Sequence, residues 1–320
     1  MTIPASTSVT YDLKGIREDL TDLIYNVDPT ETPFLSSAKK SKAYQTKHEW
    51  QTDVLASAAQ NAKIEGDAFA NAAATATVRL ANYTQIASKT VEVSGTDRAV
   101  RNAGRKDELG YQLMKRAKEI KRDMENDLLA NTAASVGASG TARQIAGIDA
   151  WITTNGVFDA TDTGANPAGD GTNGRTDATT TVALTEALLQ TCLADIFTAG
   201  GNPDSIFVSA KNKQVMSGFT NSSATRFFEA NTGNKTTAYH TAYDIYVSDF
   251  GQLKVVPDRF QRSRDVLVLD MEYWKIAYLR PFQTIPLAKT ADADQKAMLC
   301  EYTLESCNEK ASGGVFDTAG

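Results

Sequence analysis

Two strand-like stretches joined by a segment with few large side chains restrict the fold of this chain more than any other feature. Residues 44–50 alternate, with Tyr44 and Trp50 on one face, and residues 78–94 are rich in β-branched side chains. Residues 56–76 between them hold ten alanines. An isolated two-stranded ribbon is only marginally stable in water, and the sequence offers no obvious internal partner for this one. We therefore predict a protruding β-hairpin that leans on another copy of the chain.

A single apolar stripe predicts one long helix after the ribbon. Its members recur three or four residues apart: Leu109, Leu113, Ala117, Ile120, Met124 and Leu128. Lys115 lies four residues before Glu119, which predicts a surface ion pair, and Lys121 and Glu125 repeat this spacing. Mixed charges mark the start of the helix, and we expect some of them to form salt-dependent pairs between subunits: Arg101, Arg105, Lys106 and Asp107.

The other segments give a mixed pattern of helices and strands. The first forty residues predict an amphipathic helix over 13–25 and extended chain over 32–35. Residues 153–181 are dominated by small and polar side chains, so we expect a surface loop that buries little. Beyond it the pattern predicts a helix over 182–199, a strand over 205–210, a helix over 211–220 and a hairpin over 244–257. The predicted C-terminal strands are 266–270, 274–279, 282–288 and 297–307, with an acidic turn at 291–294.

The composition and the distribution of apolar residues argue against several classes of protein. The 320 residues include 33 basic and 39 acidic ones, and the net charge of −6 argues against duplex DNA binding as the main role of the surface. No apolar stretch approaches roughly 20 residues, so we expect no membrane-spanning segment. The N-terminus lacks the basic start and apolar core of a secretory signal. Three cysteines are too few for a disulfide framework.

No set of residues has the spacing of a catalytic site. His48 and His240 occur outside any H-E-x-x-H motif, and the sequence has no C-x-x-C pair. A nucleophile elbow is missing, and the glycine-rich segment 164–174 lacks the Gly-Lys-Ser/Thr of a phosphate-binding loop. We therefore expect no enzyme activity, no metal and no cofactor. A hydrolase that uses residues 153–181 as a lid is the weakest alternative.

Short motifs along most of the chain resemble one branch of the major capsid proteins of tailed bacteriophages with the Hong Kong 97 fold. In the N-terminal half they occupy residues 31–35, 48–50, 64–66, 82–86 and 93–96. In the last third they occupy residues 247–251, 255–257, 279–281 and 301–305, together with Trp274 and Asn308. Each motif alone carries little information, but their order between residues 25 and 312 makes the resemblance specific.

This resemblance implies an α+β capsid fold in six segments. They are an N-terminal arm (1–42), an extended β-hairpin loop (43–94), a peripheral domain with the long spine helix (95–145), an axial α/β domain (146–264), return strands of the peripheral domain (265–307) and a C-terminal tail (308–320). In such proteins the arm and the extended loop reach over neighbouring subunits. The candidate contacts between subunits are therefore Tyr44, Trp50, Glu65, Phe69, Arg101, Arg105, Lys106 and Asp107.

The resemblance also implies a structural role. Copies of the chain would assemble in the host cytoplasm into the hexamers and pentamers of an icosahedral head, and the virion capsid would enclose double-stranded DNA without sequence specificity. The implied partners are other copies of the chain, a portal protein, decoration proteins and a scaffolding protein. We expect the scaffolding protein to be a separate chain, because the arm starts almost at Met1, and we expect no membrane partner. An encapsulin-like shell that encloses enzyme cargo is the alternative.

Overall fold

The computed structural model describes residues 29–66, 74–100, 107–161, 164–219, 244–289 and 291–319. The helices within these residues are α1 (Pro33–Ser37), α2 (Gly95–Ala99), α3 (Glu108–Leu128), α4 (Glu186–Ala199) and α5 (Ala210–Ser217). The strands are β1 (Lys39–Lys42), β2 (Lys47–Thr52), β3 (Val78–Tyr83), β4 (Gln85–Ser94), β5 (Gly156–Val157), β6 (Ser205–Val208), β7 (Ile245–Ser248), β8 (Gly251–Pro257), β9 (Val266–Leu269), β10 (Trp274–Pro286), β11 (Ala293–Ser306) and β12 (Gly313–Val315). The helix predicted over 13–25 lies outside the described residues.

The predicted hairpin forms, but its return half is divided between two sheets. β2 and β3 pair antiparallel, and β2 alternates as predicted, with Trp50 on its half-buried face. The chain then changes sheets at Thr84, whose N–H donates to Thr46 O (2.8 Å) and whose hydroxyl donates to Glu301 (2.7 Å). The prediction of one continuous strand over 78–94 is therefore wrong, because β4 pairs with β11 instead.

A four-stranded sheet with the order β1-β10-β11-β4 packs against the long helix α3. β1 runs parallel to β10, and the other neighbours are antiparallel. The predicted apolar stripe is confirmed, since four of its members are buried: Leu109, Ile120, Met124 and Leu128. The helix begins at Glu108 because the carboxylate of Asp107 accepts the N–H groups of Leu109 (3.2 Å) and Gly110 (3.1 Å).

The two ion pairs predicted along α3 are not formed as expected. Glu119 is half-buried and takes Arg116 as its hydrogen-bonded partner, at 2.6 Å. Glu125 lies inside the protein at 0% exposure, whereas Lys121 is exposed. The predicted pair of Lys121 with Glu125 is therefore wrong, because the carboxylate points into the core and finds backbone donors there.

A six-stranded sheet with the order β5-β12-β9-β6-β8-β7 forms a second unit, with α4 and α5 packed on it. The predicted strand at 205–210, the helix after it and the hairpin β7–β8 are confirmed. α4 begins at Glu186 rather than at 182, because the Thr185 hydroxyl accepts Leu188 N–H (3.4 Å) and caps it. Gly200, with a φ of 93°, ends α4 in the left-handed conformation that glycine adopts easily.

The C-terminal strands are longer than predicted. The sequence predicts two strands over 274–279 and 282–288, but both contribute to the one strand β10, whose pairing register with β11 shifts midway. β11 begins at Ala293, so Asp294 lies in the strand rather than in a turn, and it forms an ion pair with Arg98 of α2. These two strands form the longest antiparallel pair among the described residues.

Two large apolar clusters and a small one around Val91, Val93 and Leu109 form the core of the described residues. The first lies between α3 and the four-stranded sheet and contains the largest buried side chains, among them Trp151, Trp274 and Tyr302. The second lies between α4 and the six-stranded sheet. α1, predicted to be extended chain, is instead helical, and it inserts Phe34 into the first cluster with its ring 5.8 Å from that of Phe207. This short helix anchors the described start of the chain, from residue 29, in the core.

Candidate assembly surfaces

The root of the ribbon packs on the core of its own chain. The ring of Trp50 lies 5.3 Å from that of Trp151 and 5.7 Å from that of His48, centroid to centroid. Trp151 is fully buried, and Leu80 of β3 packs against the same apolar cluster. The expectation that the ribbon has no internal partner is therefore wrong for its root. Trp50, which the sequence predicts as a contact between subunits, has a partner within its own chain.

A buried amide fixes the direction in which the ribbon leaves the core. Asn82 of β3 is 0% exposed. Its Nδ2 donates to Leu304 O (2.8 Å), and its Oδ1 accepts the N–H groups of Ala146 (3.0 Å) and Tyr83 (2.9 Å). Because a buried amide is costly without its hydrogen bonds, this geometry holds the root of the ribbon in one orientation.

Glu305 of β11 collects polar contacts from several elements at the same root. Its Oε2 accepts from the Ser41 hydroxyl (3.0 Å) and lies 3.1 Å from Nε2 of His48, while its Oε1 lies 3.4 Å from Nζ of Lys275. The hydrogen bond from His48, which outweighs the effect of burial, lowers the pKa of the Glu305 carboxyl to about 2. Glu305 therefore ties the ribbon strand β2 to the strands β1, β10 and β11 of the four-stranded sheet.

The tip of the ribbon is exposed and carries large apolar side chains. Every described residue of 53–66 and 74–77 is exposed. The exposed fractions are 64% for Val54, 94% for Leu55 and 83% for Ile64. Apolar side chains this open, on an element held rigidly at its root, are typical of a surface that another molecule covers.

The other predicted contact residues lie on the ribbon and at the start of α3. Tyr44 precedes β2 and is 75% exposed, with Nζ of Lys42 5.1 Å from the centre of its ring. Glu65 is exposed within the tip, and Asp107 is exposed at the cap of α3. The structure does not bring these three residues together. Four further predicted contacts lie outside the described residues: Phe69, Arg101, Arg105 and Lys106.

The outer strand of the six-stranded sheet carries a second exposed apolar surface. β7 pairs with β8 on one side, and its other edge is open among the described residues. Ile245 and Val247 on this strand are 57% and 68% exposed. At the end of the hairpin the rings of Phe197 and Phe250 stack with centroids 4.8 Å apart. An open edge with apolar side chains is a ready interaction surface.

The segment 153–181 is folded around one arginine that the sequence reasoning missed. The guanidinium of Arg175 lies 3.2 Å from the centre of the Phe316 ring and 5.5 Å from that of Phe158. Its Nη2 donates to Ile152 O at 2.6 Å, and burial lowers the pKa of Arg175 to about 10. The expectation that this segment buries little is therefore wrong. The available signal was that Arg175 is its only basic residue.

Buried charges near this loop are paired within the chain. Arg262 lies 3.1 Å from a carboxylate oxygen of Asp149 and 2.8 Å from one of Asp265. Arg264 pairs with Asp317 close to the C-terminal end of the described chain. These pairs join the β8–β9 connection to the loops around it, so we regard them as internal ties of the fold rather than as an assembly surface.

The described residues contain neither a candidate metal centre nor a candidate membrane span. No group of three or more His, Cys, Asp or Glu side chains in this part of the chain has a geometry suited to a metal ion. None of its helices combines the length and the apolar character needed to cross a membrane. The features that stand out are the ribbon tip and the open edge of β7.

Comparison with known proteins gives consistent results along the whole chain. A family model described as the SU10 major capsid protein matches residues 4–319. The major capsid protein of Escherichia phage Phieco32 is 30% identical over 348 aligned positions, which cover 98% of this chain and 97% of the relative.

Solved phage structures, a capsid among them, have the same fold. The capsid asymmetric unit of Cyanophage A-1(L) superposes with a TM-score of 0.68 at 15% identity, covering 95% of this chain and 98% of that chain. A structure from Microbacterium phage Oxtober96 gives a TM-score of 0.60 at 10% identity, covering 95% and 96%. The predicted α+β phage capsid fold is thus confirmed. The chain belongs to the SU10 major capsid protein family, and it is a structural protein of a phage virion capsid.

Proposed function

We propose that copies of this chain assemble into the hexamers and pentamers of an icosahedral phage head that encloses double-stranded DNA. The observation that supports this proposal best is the ribbon, whose root is fixed in its own chain while its apolar tip is uncovered. Family membership supports a shell-forming role. The ribbon supplies the means, because a contact that each copy makes to the next closes into a ring when it is repeated around a rotation axis.

The tip has enough apolar surface to contribute to such a contact. Leu55 and Ile64 each expose more than four-fifths of their surface. Fully burying a side chain of this size contributes about 1.5–3 kcal/mol. The rigid root limits the conformational entropy that binding has to offset, since Asn82 and Trp50 already fix the strands. We infer that the tip lies against a neighbouring copy.

The other predicted contacts belong to this proposal in different ways. Tyr44 and Glu65 are exposed and free to face a neighbour, whereas Trp50 acts by holding the root of the ribbon. The charges at 101–107 remain proposed sites of salt-dependent pairs between subunits. Reversing them singly and together should weaken assembly, and this loss should be greatest at low salt because screening reduces such interactions.

The proposal includes partners beyond the chain itself. A head that is filled through one vertex needs a portal protein, and we propose a separate scaffolding protein and decoration proteins as further partners. We propose that the shell encloses DNA without reading its sequence and, because each copy has a net charge of −6, without binding it tightly. Nothing in the described residues or in the comparisons favours the encapsulin-like alternative. Particles purified from infected cells should hold double-stranded DNA rather than enzyme cargo.

The ribbon tip can be tested with a charge-matched pair of variants. L55D/I64D removes two exposed apolar side chains, and Q60D/N61D adds the same two charges at polar positions of the same tip. We expect both variants to fold with unchanged far-UV circular dichroism. Electron microscopy should show closed shells for the native chain and for Q60D/N61D, and sedimentation should show small species for L55D/I64D. Normal shells from L55D/I64D would refute the proposed contact.

A further inference from the structure

Glu125 lies where three parts of the fold meet. It belongs to α3, and its two carboxyl oxygens accept the N–H groups of Phe34 and Leu35 at the start of α1, each at 2.7 Å. Glu125 is 0% exposed, so no solvent reaches its charge. A buried carboxylate is costly unless its charge is balanced. The two N–H groups bind it to α1, but they supply no positive charge.

A second carboxyl group faces Glu125 from the six-stranded sheet. Asp258 follows β8 directly, is 2% exposed and lies against the Glu125 carboxyl. Its N–H donates to Val208 O (2.9 Å), and its Oδ1 accepts Phe260 N–H (2.8 Å). Its Oδ2 is buried and has no donor among the described residues. A proton on one of the two carboxyl groups is the donor that this arrangement lacks.

No cation near the pair takes the place of that proton among the described residues. α1 has no ionisable side chain, Lys121 on α3 is exposed, and so is Arg259 beside Asp258. Asp127, one half-turn along α3, accepts from Gln85 and from Tyr302 on β11 and so faces another side.

A second buried pair of carboxyl groups in the same chain has its negative charge balanced by a cation. Asp149 and Asp265 also form a buried pair of carboxyl groups, and Arg262 lies 3.1 Å from one and 2.8 Å from the other. Neither Glu125 nor Asp258 forms an ion pair with a described residue. The two pairs flank the same connection between β8 and β9, and one of them is held by a cation.

We propose that Glu125 and Asp258 share one proton. The hydrogen bond that this proton forms, here called the clasp, holds the start of the β8–β9 connection against α3 and α1. When the proton is lost, two adjacent buried carboxylates repel each other. The Glu125 carboxylate keeps its bonds to Phe34 and Leu35, which grow stronger with its charge. The contact that opens is therefore the one to Asp258, and the start of the β8–β9 connection is released from α3 and α1.

The direction of the pH dependence follows from the pKa of Glu125 in the folded protein. Burial, together with the neighbouring Asp258, raises the pKa of Glu125 to about 8 from an ordinary value of 4.5. Between these two values the folded protein binds more protons than the unfolded chain, so the stabilisation by the clasp is complete below pH 4.5 and is lost as pH rises through 8. The clasp is closed in mild acid and open in mild alkali.

D258N tests the clasp in the full-length chain. The amide that this substitution introduces donates to the Glu125 carboxylate at every pH, and its oxygen still accepts Phe260 N–H. We expect the melting temperature of the native chain to fall by about 5 °C relative to D258N between pH 6 and pH 9. The exposed-site control D195N, on α4, should follow the native profile. Parallel profiles for the native chain and D258N would overturn the proposal.

Hydrogen exchange on the native chain gives a test that needs no variant. After correction for intrinsic rates, the protection of the Asp258 and Phe260 amides should fall at least tenfold between pH 6 and pH 9, while Phe34 and Leu35, bound to Glu125, stay protected. Equal protection at both pH values would refute the clasp. Sedimentation at each pH records the assembly state, so a failure of the clasp is distinguishable from a failure of the proposed shell.

Discussion

Nδ2 of Asn82 lies 2.8 Å from the carbonyl oxygen of Leu304, so one side chain joins the ribbon to the longest strand pair among the described residues. The same amide accepts Ala146 N–H through its oxygen. Both partners are backbone groups from parts of the chain that are distant in sequence. The ribbon is thus an extension of the folded core, and its exposed tip is presented in a defined direction.

Asn82→Ala should lower the free energy of unfolding by about 2–4 kcal/mol, because it leaves the buried Leu304 carbonyl and Ala146 N–H without partners. Chemical denaturation of the unassembled chain measures this loss. Asn61→Ala at the exposed tip is the matched control and should change stability by less than about 0.5 kcal/mol. Equal stability of Asn82→Ala and the native chain would show that the buried amide does not hold the root.

Trp50→Ala should loosen the ribbon specifically. The substitution removes one of the two rings that form the Trp50–Trp151 contact. We expect the free energy of unfolding to fall by about 2 kcal/mol, which is less than for a fully buried tryptophan because the Trp50 ring is partly exposed. Trp50→Phe should cost less than half as much, since the Trp50 N–H has no partner among the described residues. Hydrogen exchange of β2 and β3 is the measurement, and unchanged protection in Trp50→Ala would contradict the assignment.

The parts of the fold that sequence predicts well are those with local causes. α3 follows from one apolar stripe, and the hairpin β7–β8 from the turn at Phe250 and Gly251, because in both cases the residues that determine the structure are close in sequence. The division of the return strand at Thr84 has a distant cause: its hydroxyl finds Glu301 on β11. No local pattern marks that partner.

The functional surfaces also include features that the sequence predicts and features that it does not. The exposed tip was predictable, since a segment with ten alanines lacks the side chains for a core. The burial and the partners of the charged side chains were not predictable. Glu125 has the spacing of a surface pair with Lys121 but faces the core, and Arg175 looks like a loop cation but fills the space beside Phe316. Charge and spacing alone do not tell which side of a helix or loop is covered by distant parts of the chain.

The contacts of Glu305 predict that the stability of the fold depends on pH in the acidic range. Because the folded pKa of Glu305 is about 2 against an ordinary 4.5, its contribution is complete above pH 4.5 and is lost as pH falls towards 2. Glu305→Gln should therefore have a lower melting temperature than the native chain at pH 7, and the gap should narrow as pH falls from 4.5. The exposed control Glu92→Gln should show no such narrowing. A constant gap would mean that the charge of Glu305 contributes nothing.

Arg175→Ala should unfold the segment 153–181 from the core. The substitution removes the cation from the faces of Phe316 and Phe158 and the donor from Ile152 O, and it leaves a cavity beside those rings. We expect a loss of about 3–4 kcal/mol in the free energy of unfolding, because the cavity and the unpaired Ile152 carbonyl both destabilise the folded state.

Arg175→Lys separates charge from shape at this position. Lysine keeps the positive charge but cannot lie flat against the Phe316 ring, so we expect it to recover less than half of the loss. Limited proteolysis gives the local measurement: cleavage within 153–181 should be fastest in Arg175→Ala, slower in Arg175→Lys and slowest in the native chain. The exposed control Lys121→Ala should leave this segment resistant. If Arg175→Lys matches the native chain in both measurements, charge alone holds the segment and the stacked geometry is incidental.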